Sequence, residues 1–202
     1  MHELFRCAGP ERVVFEQLIA PALECFAQRL DANGAEQFPH DGVAVSTLAG
    51  RVRVAPSVSY DAATQSTYVS WVEANSVQSQ FGVGAQKFDA AGARQWGASG
   101  KTLVALGTSA IAEVEALLLG AAFVTTWTSS PAFGQDVARA TLLDAAGNTL
   151  VAPFAFSSTP AVKYRFESAL SSYGFGVLAW RDERGADPHV YLQDLLPDGD
   201  LG

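Results

Sequence analysis

Gly84-Ala85-Gln86-Lys87-Phe88-Asp89-Ala90-Ala91-Gly92-Ala93-Arg94-Gln95-Trp96 is the stretch on which the rest of the chain can be aligned. Phe26-Ala27-Gln28-Arg29-Leu30-Asp31-Ala32-Asn33-Gly34 is an earlier form of it, and Leu143-Asp144-Ala145-Ala146-Gly147 is a shorter later one. Tyr191-Leu192-Gln193-Asp194-Leu195-Leu196-Pro197-Asp198-Gly199 ends the series. The glycines at 34, 92, 147 and 199 are separated by 58, 55 and 52 residues. A second landmark keeps step: Thr67-Tyr68-Val69-Ser70-Trp71, Phe123-Val124-Thr125-Thr126-Trp127 and Gly176-Val177-Leu178-Ala179-Trp180. Each tryptophan precedes its glycine by 21, 20 and 19 residues. Two landmarks in register over three copies mark a repeat protein.

Working outward, each glycine sits where a strand must reverse, and Asn33-Gly34 suggests a tight hairpin whose residues take positive φ. Closing strands follow at Asp41–Ser46, Gly100–Val104 and Thr149–Ala152; opening strands precede each Trp strand at Pro56–Tyr60, Val114–Leu118 and Phe166–Leu170. One repeat is therefore four strands. Within the Trp strand both alternating sets carry bulk, which suits a sheet covered on both faces. Four strands in roughly 50 residues, repeated, predict an all-β fold: a β-propeller-like array of four-stranded blades.

The predicted layout is a single repeat domain over 1–202, with 1–54 a degenerate or partial blade and blades at 55–104, 105–158 and 159–202. The last lacks a closing strand. Either the first 50 residues form a degenerate fourth blade, or Asp41 to Ser46 closes the last one, or the chain is an incomplete propeller. Residues 8–20 fit helix and strand patterns alike, and a strand is expected from about Glu24.

Composition narrows the function classes. With 49% hydrophobic and 17% charged residues the chain can build a core. A net charge of −8 with scattered basic residues excludes a nucleic-acid footprint and an anionic lipid surface. The apolar patch Ala116–Val124 is half the length needed to cross a membrane, so no membrane insertion is expected. Cys7 and Cys25 could pair in an oxidising compartment, but nothing in their spacing decides it.

The phrases Phe26-Ala27-Gln28-Arg29-Leu30-Asp31-x-x-Gly34, Gly92-x-x-x-Trp96 and Ala179-Trp180-Arg181-Asp182 resemble tandem repeats of large exported and cell-surface bacterial proteins. Ser70-Trp71-Val72-Glu73 is a looser match, Thr141 stands in place of the glutamine, and Phe38 replaces the Trp of the first copy. The resemblance covers about residues 24–202. It implies a propeller-like fold and an extracellular or cell-surface location, and no assigned activity. No signal peptide is visible, which a truncated or internally started reading frame would explain.

Candidate chemistry is sparse. Gln28, Gln86 and Gln193 could form a ring of amides reading a ligand; residues repeated in every unit belong more naturally to the repeat's own hydrogen bonding. Trp71, Trp127 and Trp180 could be sugar platforms, although tryptophans alternating with small residues suit a core. His2, His40 and His189 have no ligand partner at metal spacing. Asp182, Glu183, Asp187, Asp198 and Asp200 lack a calcium-loop pattern, with Arg181 and Arg184 interleaved. Asp31, Asp89 and Asp144 suit local backbone acceptors before the turns. No catalytic, cofactor-binding or metal-ligating residue is singled out, and no cofactor is implied.

The reading that follows is a non-catalytic interaction or scaffold module binding an unknown protein or glycan, with self-association through open blade edges. The alternative is a carbohydrate-active or carbohydrate-binding propeller. Its site would lie among the length-variable loops Ala74–Gln80, Thr128–Gln135 and Asp182–His189.

Overall fold

Asp89 sets the geometry that the repeat copies. Its Oδ1 accepts the N–H groups of Ala91 and Ala93, and its own N–H donates to the Ala93 carbonyl. Asp31 and Asp144 do the same at Asn33/Ala35 and Ala146/Asn148. Only the glycine of each turn takes positive φ, 82°, 84°, 80° and 92° at Gly34, Gly92, Gly147 and Gly199. The hairpins are therefore three-residue loops ending in a left-handed glycine, rather than the tight turn that Asn33-Gly34 suggested. The aspartate specifies the loop; Asn33 is incidental to it.

The computed structural model describes residues 3–6, 12–19 and 22–202. Among these there is no helix, and the strands pair antiparallel. The chain divides into two compact units, Met1–Leu106 and Gly107–Gly202. In the first, β1 (Glu3–Arg6), β2 (Arg12–Ile19), β3 (Ala22–Arg29) and β4 (Val43–Ala44) make one sheet. Its companion is β5 (Arg51–Asp61), β6 (Ser66–Asn75), β7 (Phe81–Phe88) and β8 (Lys101–Gly107). In the second unit, β9 (Ala110–Leu119), β10 (Ala122–Ser130), β11 (Asp136–Leu143) and β12 (Thr149–Ala161) form a third sheet. The last has three strands, β13 (Lys163–Leu170), β14 (Gly176–Asp182) and β15 (His189–Leu195).

Residues 12–19, which the sequence left between helix and strand, are strand β2. Val43–Ala44 pairs with Phe26 and Ala27 of β3, so the 41–46 segment closes its own sheet and not the last one.

The Trp strands β6 and β10 are buried along nearly their whole length: every residue of 66–72 and 122–128 is buried. That explains their continuous hydrophobic reading, since both faces are covered. One unit's core gathers Cys25, Val45, Val58, Val69, Trp71 and Phe88; the other's gathers Leu119, Val124, Leu142, Phe166, Leu178 and Trp180.

A bulge recurs opposite each tryptophan. Pairing of β5 with β6 skips between Val54/Val72 and Ser57/Ser70, leaving Ala55-Pro56 opposite Trp71. The β9–β10 pairing slips opposite Trp127, and β13–β14 slips opposite Trp180. In each case one residue of the opening strand has positive φ: Ala55 at 51°, Glu113 at 51° and Arg165 at 55°. Two residues facing one large ring bend the opening strand and sharpen its twist. On the opposite side, Gly84 makes room for Trp71: a Cβ there would lie 2.4 Å from the indole.

Candidate functional site

Where the opening strand begins and the Trp strand ends, the sheets carry ionic pairs at one register position. In the first unit, Arg53 on β5 faces Glu73 on β6. The Arg53 guanidinium is fully buried, reaching Glu24 at 2.6 Å, Glu73 at 3.3 Å and the Leu48 carbonyl at 2.6 Å. In the second unit, Lys163 on β13 faces Asp182 on β14, with Nζ 3.2 Å from Oδ2 and both side chains without solvent exposure. The third sheet has Ile111 opposite Ser129 there, and no charge. Cation and acid are present together or absent together.

Asp182 is the most heavily bonded carboxylate. It accepts from Trp180 Nε1 at 3.1 Å, from the Arg184 N–H at 2.9 Å, and from the Arg184 guanidinium. Burial by itself would raise this carboxyl, but the hydrogen bonds from Arg184, Trp180 and Lys163 hold it well below the ordinary range. Lys163 also donates Nζ to the Thr159 carbonyl at 2.5 Å, and its N–H to Asp136 at 2.9 Å. Arg184 continues to the Ser157 hydroxyl and lies 4.0 Å over the Tyr191 ring. A carboxylate so held is a fixed negative post; a general acid requires the opposite shift. Exposed groups at the same end of this unit are Glu183, Asp187 and the Phe133 ring, which is 97% exposed at the tip of the β10–β11 loop.

The glutamines serve the repeat. Gln86 Oε1 accepts from Lys87 and Trp96 N–H at 3.0 Å each, while its Nε2 donates to Gly97 at 2.8 Å. Gln28 makes the same three bonds to Arg29, Phe38 and Pro39. Thr141 makes a different bond, its hydroxyl donating to the Val151 carbonyl, and Gln193 donates to Gly202. The three tryptophans are core: Trp71 and Trp127 are 1% exposed, and Trp180 stacks on Phe166 and Tyr191. His40 is exposed beside Glu36, whose hydrogen bond raises the imidazole pKa, and His189 is exposed at the start of β15. Asp198 accepts from the Asp200 N–H. His2 and Cys7 lie outside the described residues, and Cys25 is fully buried. Among the described residues no group of three His, Cys, Asp or Glu side chains is placed to hold a metal ion.

Arg53 and Lys163 escaped the sequence reading, and Arg184 entered it only as a charge opposed to cation binding. The one signal available was a cation on the opening strand wherever the second residue after Trp is acidic: Glu73 and Asp182, but not Ser129.

The sequence matches no protein-family model and no curated protein. Solved structures match its fold. An endo-arabinase from Bacteroides thetaiotaomicron aligns with TM-score 0.53 and 11% identity over 95% of this chain and 72% of its own. A thermostable family-43 glycoside hydrolase gives 0.57 and 9% over 99% of this chain and 72% of its own. An endo-1,5-alpha-L-arabinanase from Thermotoga petrophila gives 0.53 and 12% over 99% of this chain and 58% of its own. The fold is of β-propeller type. The expected non-catalytic scaffold role is corrected here: the solved structures sharing this propeller are carbohydrate-degrading hydrolases, so the alternative reading is the better supported. Regular repeats without convergent polar residues suggest a passive module in the sequence alone. Repeat regularity reports how blades are built, and says nothing of what a rim carries.

Proposed function

We propose that this chain is a carbohydrate-active or carbohydrate-binding propeller, with its glycan site at one rim. The likeness of its blades to three solved carbohydrate-degrading hydrolases carries the reading. Within the second unit the site would lie between loops 128–135 and 182–189. Phe133 offers an exposed ring for a sugar face there, and Glu183 and Asp187 offer carboxylates not committed to the buried ion pair. The same reading takes 1–202 as one repeat array, with the blades bounded near 54, 104 and 158. It also places the chain outside the cell or on its surface, where polysaccharide is met.

Affinity electrophoresis through arabinan, xylan and galactan, with a reducing-sugar assay on each, tests the proposal. Retardation that Phe133→Ala abolishes supports binding at this rim, and sugar release lost in Glu183→Gln or Asp187→Asn supports hydrolysis. Neither retardation nor release on any of the three polymers would sink it.

A further inference from the structure

Each sheet of the repeat has an outward face whose third-strand positions can be compared. Cys25 and Ala27, Val83 and Ala85, and Ala138 and Ala140 are all 1% exposed or less. Their counterparts on β15 are Val190 and Leu192, 71% and 67% exposed. The Trp strand repeats the contrast: Val124, Thr126 and Thr128 are buried, whereas Val177 and Ala179 are half-buried and Arg181 is exposed. In the third sheet the cover is known, because Val124, Ala138 and Ala140 pack in one core with Phe166, Leu178 and Trp180 of the last sheet. The other face of the last sheet carries Val190, Leu192 and Arg181, all exposed.

Two charges on that face decide what fits. Arg181 stands where the covered sheets have Val72 and Thr128, both buried and neutral. Glu167, opposite Ala179 on β13, is exposed too. Opposite charges on one face let two copies of it pair Glu167 with Arg181. Glu183, two residues on, accepts the Tyr164 hydroxyl, and Arg181 stacks on the Tyr164 ring at 5.2 Å. The face carries its own complement. Along the strands, Arg181 and Val190 form one layer, and Glu167, Ala179 and Leu192 form the next.

We propose that the outward face of β13–β14–β15 is a dimer interface that receives the same face of a second copy of this chain. The two-fold axis runs across the strands between these two layers. Sheets stacked face to face at ~10 Å would then set Val190 over Leu192 of the partner subunit and bring Glu167 to Arg181 of the partner subunit. Both contacts occur twice, as an isologous interface requires.

Sedimentation velocity of the full chain over a wide concentration range tests this, with urea midpoints confirming that each surface variant is folded. A monomer–dimer equilibrium is expected, weakened roughly tenfold or more by Leu192→Lys or Val190→Lys. Glu167→Arg and Arg181→Glu should each weaken it, and the double variant should restore it. A chain that stays monomeric at all concentrations overturns the proposal and leaves the face to a foreign blade. A dimer indifferent to Leu192→Lys overturns it in favour of edge-to-edge strand pairing. Failure of the double charge swap to restore association overturns the two-fold register.

Discussion

Lys163 and Asp182 face each other from neighbouring strands with neither side chain reaching water, Nζ to Oδ2 at 3.2 Å. Arg53 and Glu73 hold the corresponding position two sheets earlier, so the acid that follows Trp-x in the repeat phrase is one half of a buried pair. Its other half comes from the opening strand, which in the last sheet lies 19 residues upstream.

Removing one partner should cost far more than removing both. Asp182→Ala leaves Lys163 charged and buried, with an expected loss of about 3–5 kcal/mol in urea unfolding. Lys163→Met with Asp182→Leu, which replaces the pair by apolar bulk, should recover most of that. Equal losses in the single and double variants would mean that Asp182 matters through Arg184 and Trp180 alone.

Acid should destabilise the chain in a way that Asp182 controls. Its carboxyl is ordinary, 3.8, when unfolded and well below that when folded. Its stabilisation is therefore complete above the unfolded value and is lost as pH falls towards the folded one. The slope of unfolding free energy between about pH 5 and pH 2 should flatten in Asp182→Asn. Some slope should remain, because hydrogen bonding from Asn148 lowers the Asp144 pKa and hydrogen bonding from Thr64 lowers that of Asp61. An unchanged slope would show that Asp182 is not the titrating group.

Gln86→Leu strips the buried Trp96 N–H of its partner, which is expected to cost about 1–3 kcal/mol. Gln193→Leu should cost much less, since its Gly202 partner is exposed and meets water instead. Chemical denaturation of the two variants side by side checks the contrast. Similar losses would mean that the glutamine acts through its packing.

Gly84→Ala should destabilise by about 1–3 kcal/mol, because its Cβ would enter the Trp71 ring. Trp71→Leu in the same background should relieve that clash. A double-mutant cycle gives the coupling directly, and a coupling near zero would place the strain elsewhere.

The readable parts of the fold were those a short stretch encodes. Asp89 with Gly92 makes its loop from five consecutive residues, and the Gln86 bonds reach only ten or eleven residues ahead. Both could be seen four times, in whole or in part. The first two strands carry neither landmark, so residues 12–19 stayed ambiguous until their pairing with β3 was known. Phe133 was unreadable for a different cause: the exposure of one ring at a loop tip depends on what surrounds it, not on its neighbours in sequence.

The sequence by itself determined that the chain is built of antiparallel four-strand units turning on Asp-x-x-Gly loops, because local backbone hydrogen bonding and strand alternation recur with the repeat. Only the tertiary structure decided where the charges and the uncovered surface lie. Arg53 meets Glu24, and Lys163 meets Asp182, because strands distant in sequence bring them to one register position. Val190 and Leu192 are spelled like their buried counterparts in the other sheets and are exposed all the same, because burial belongs to the neighbour a sheet packs on and not to the strand.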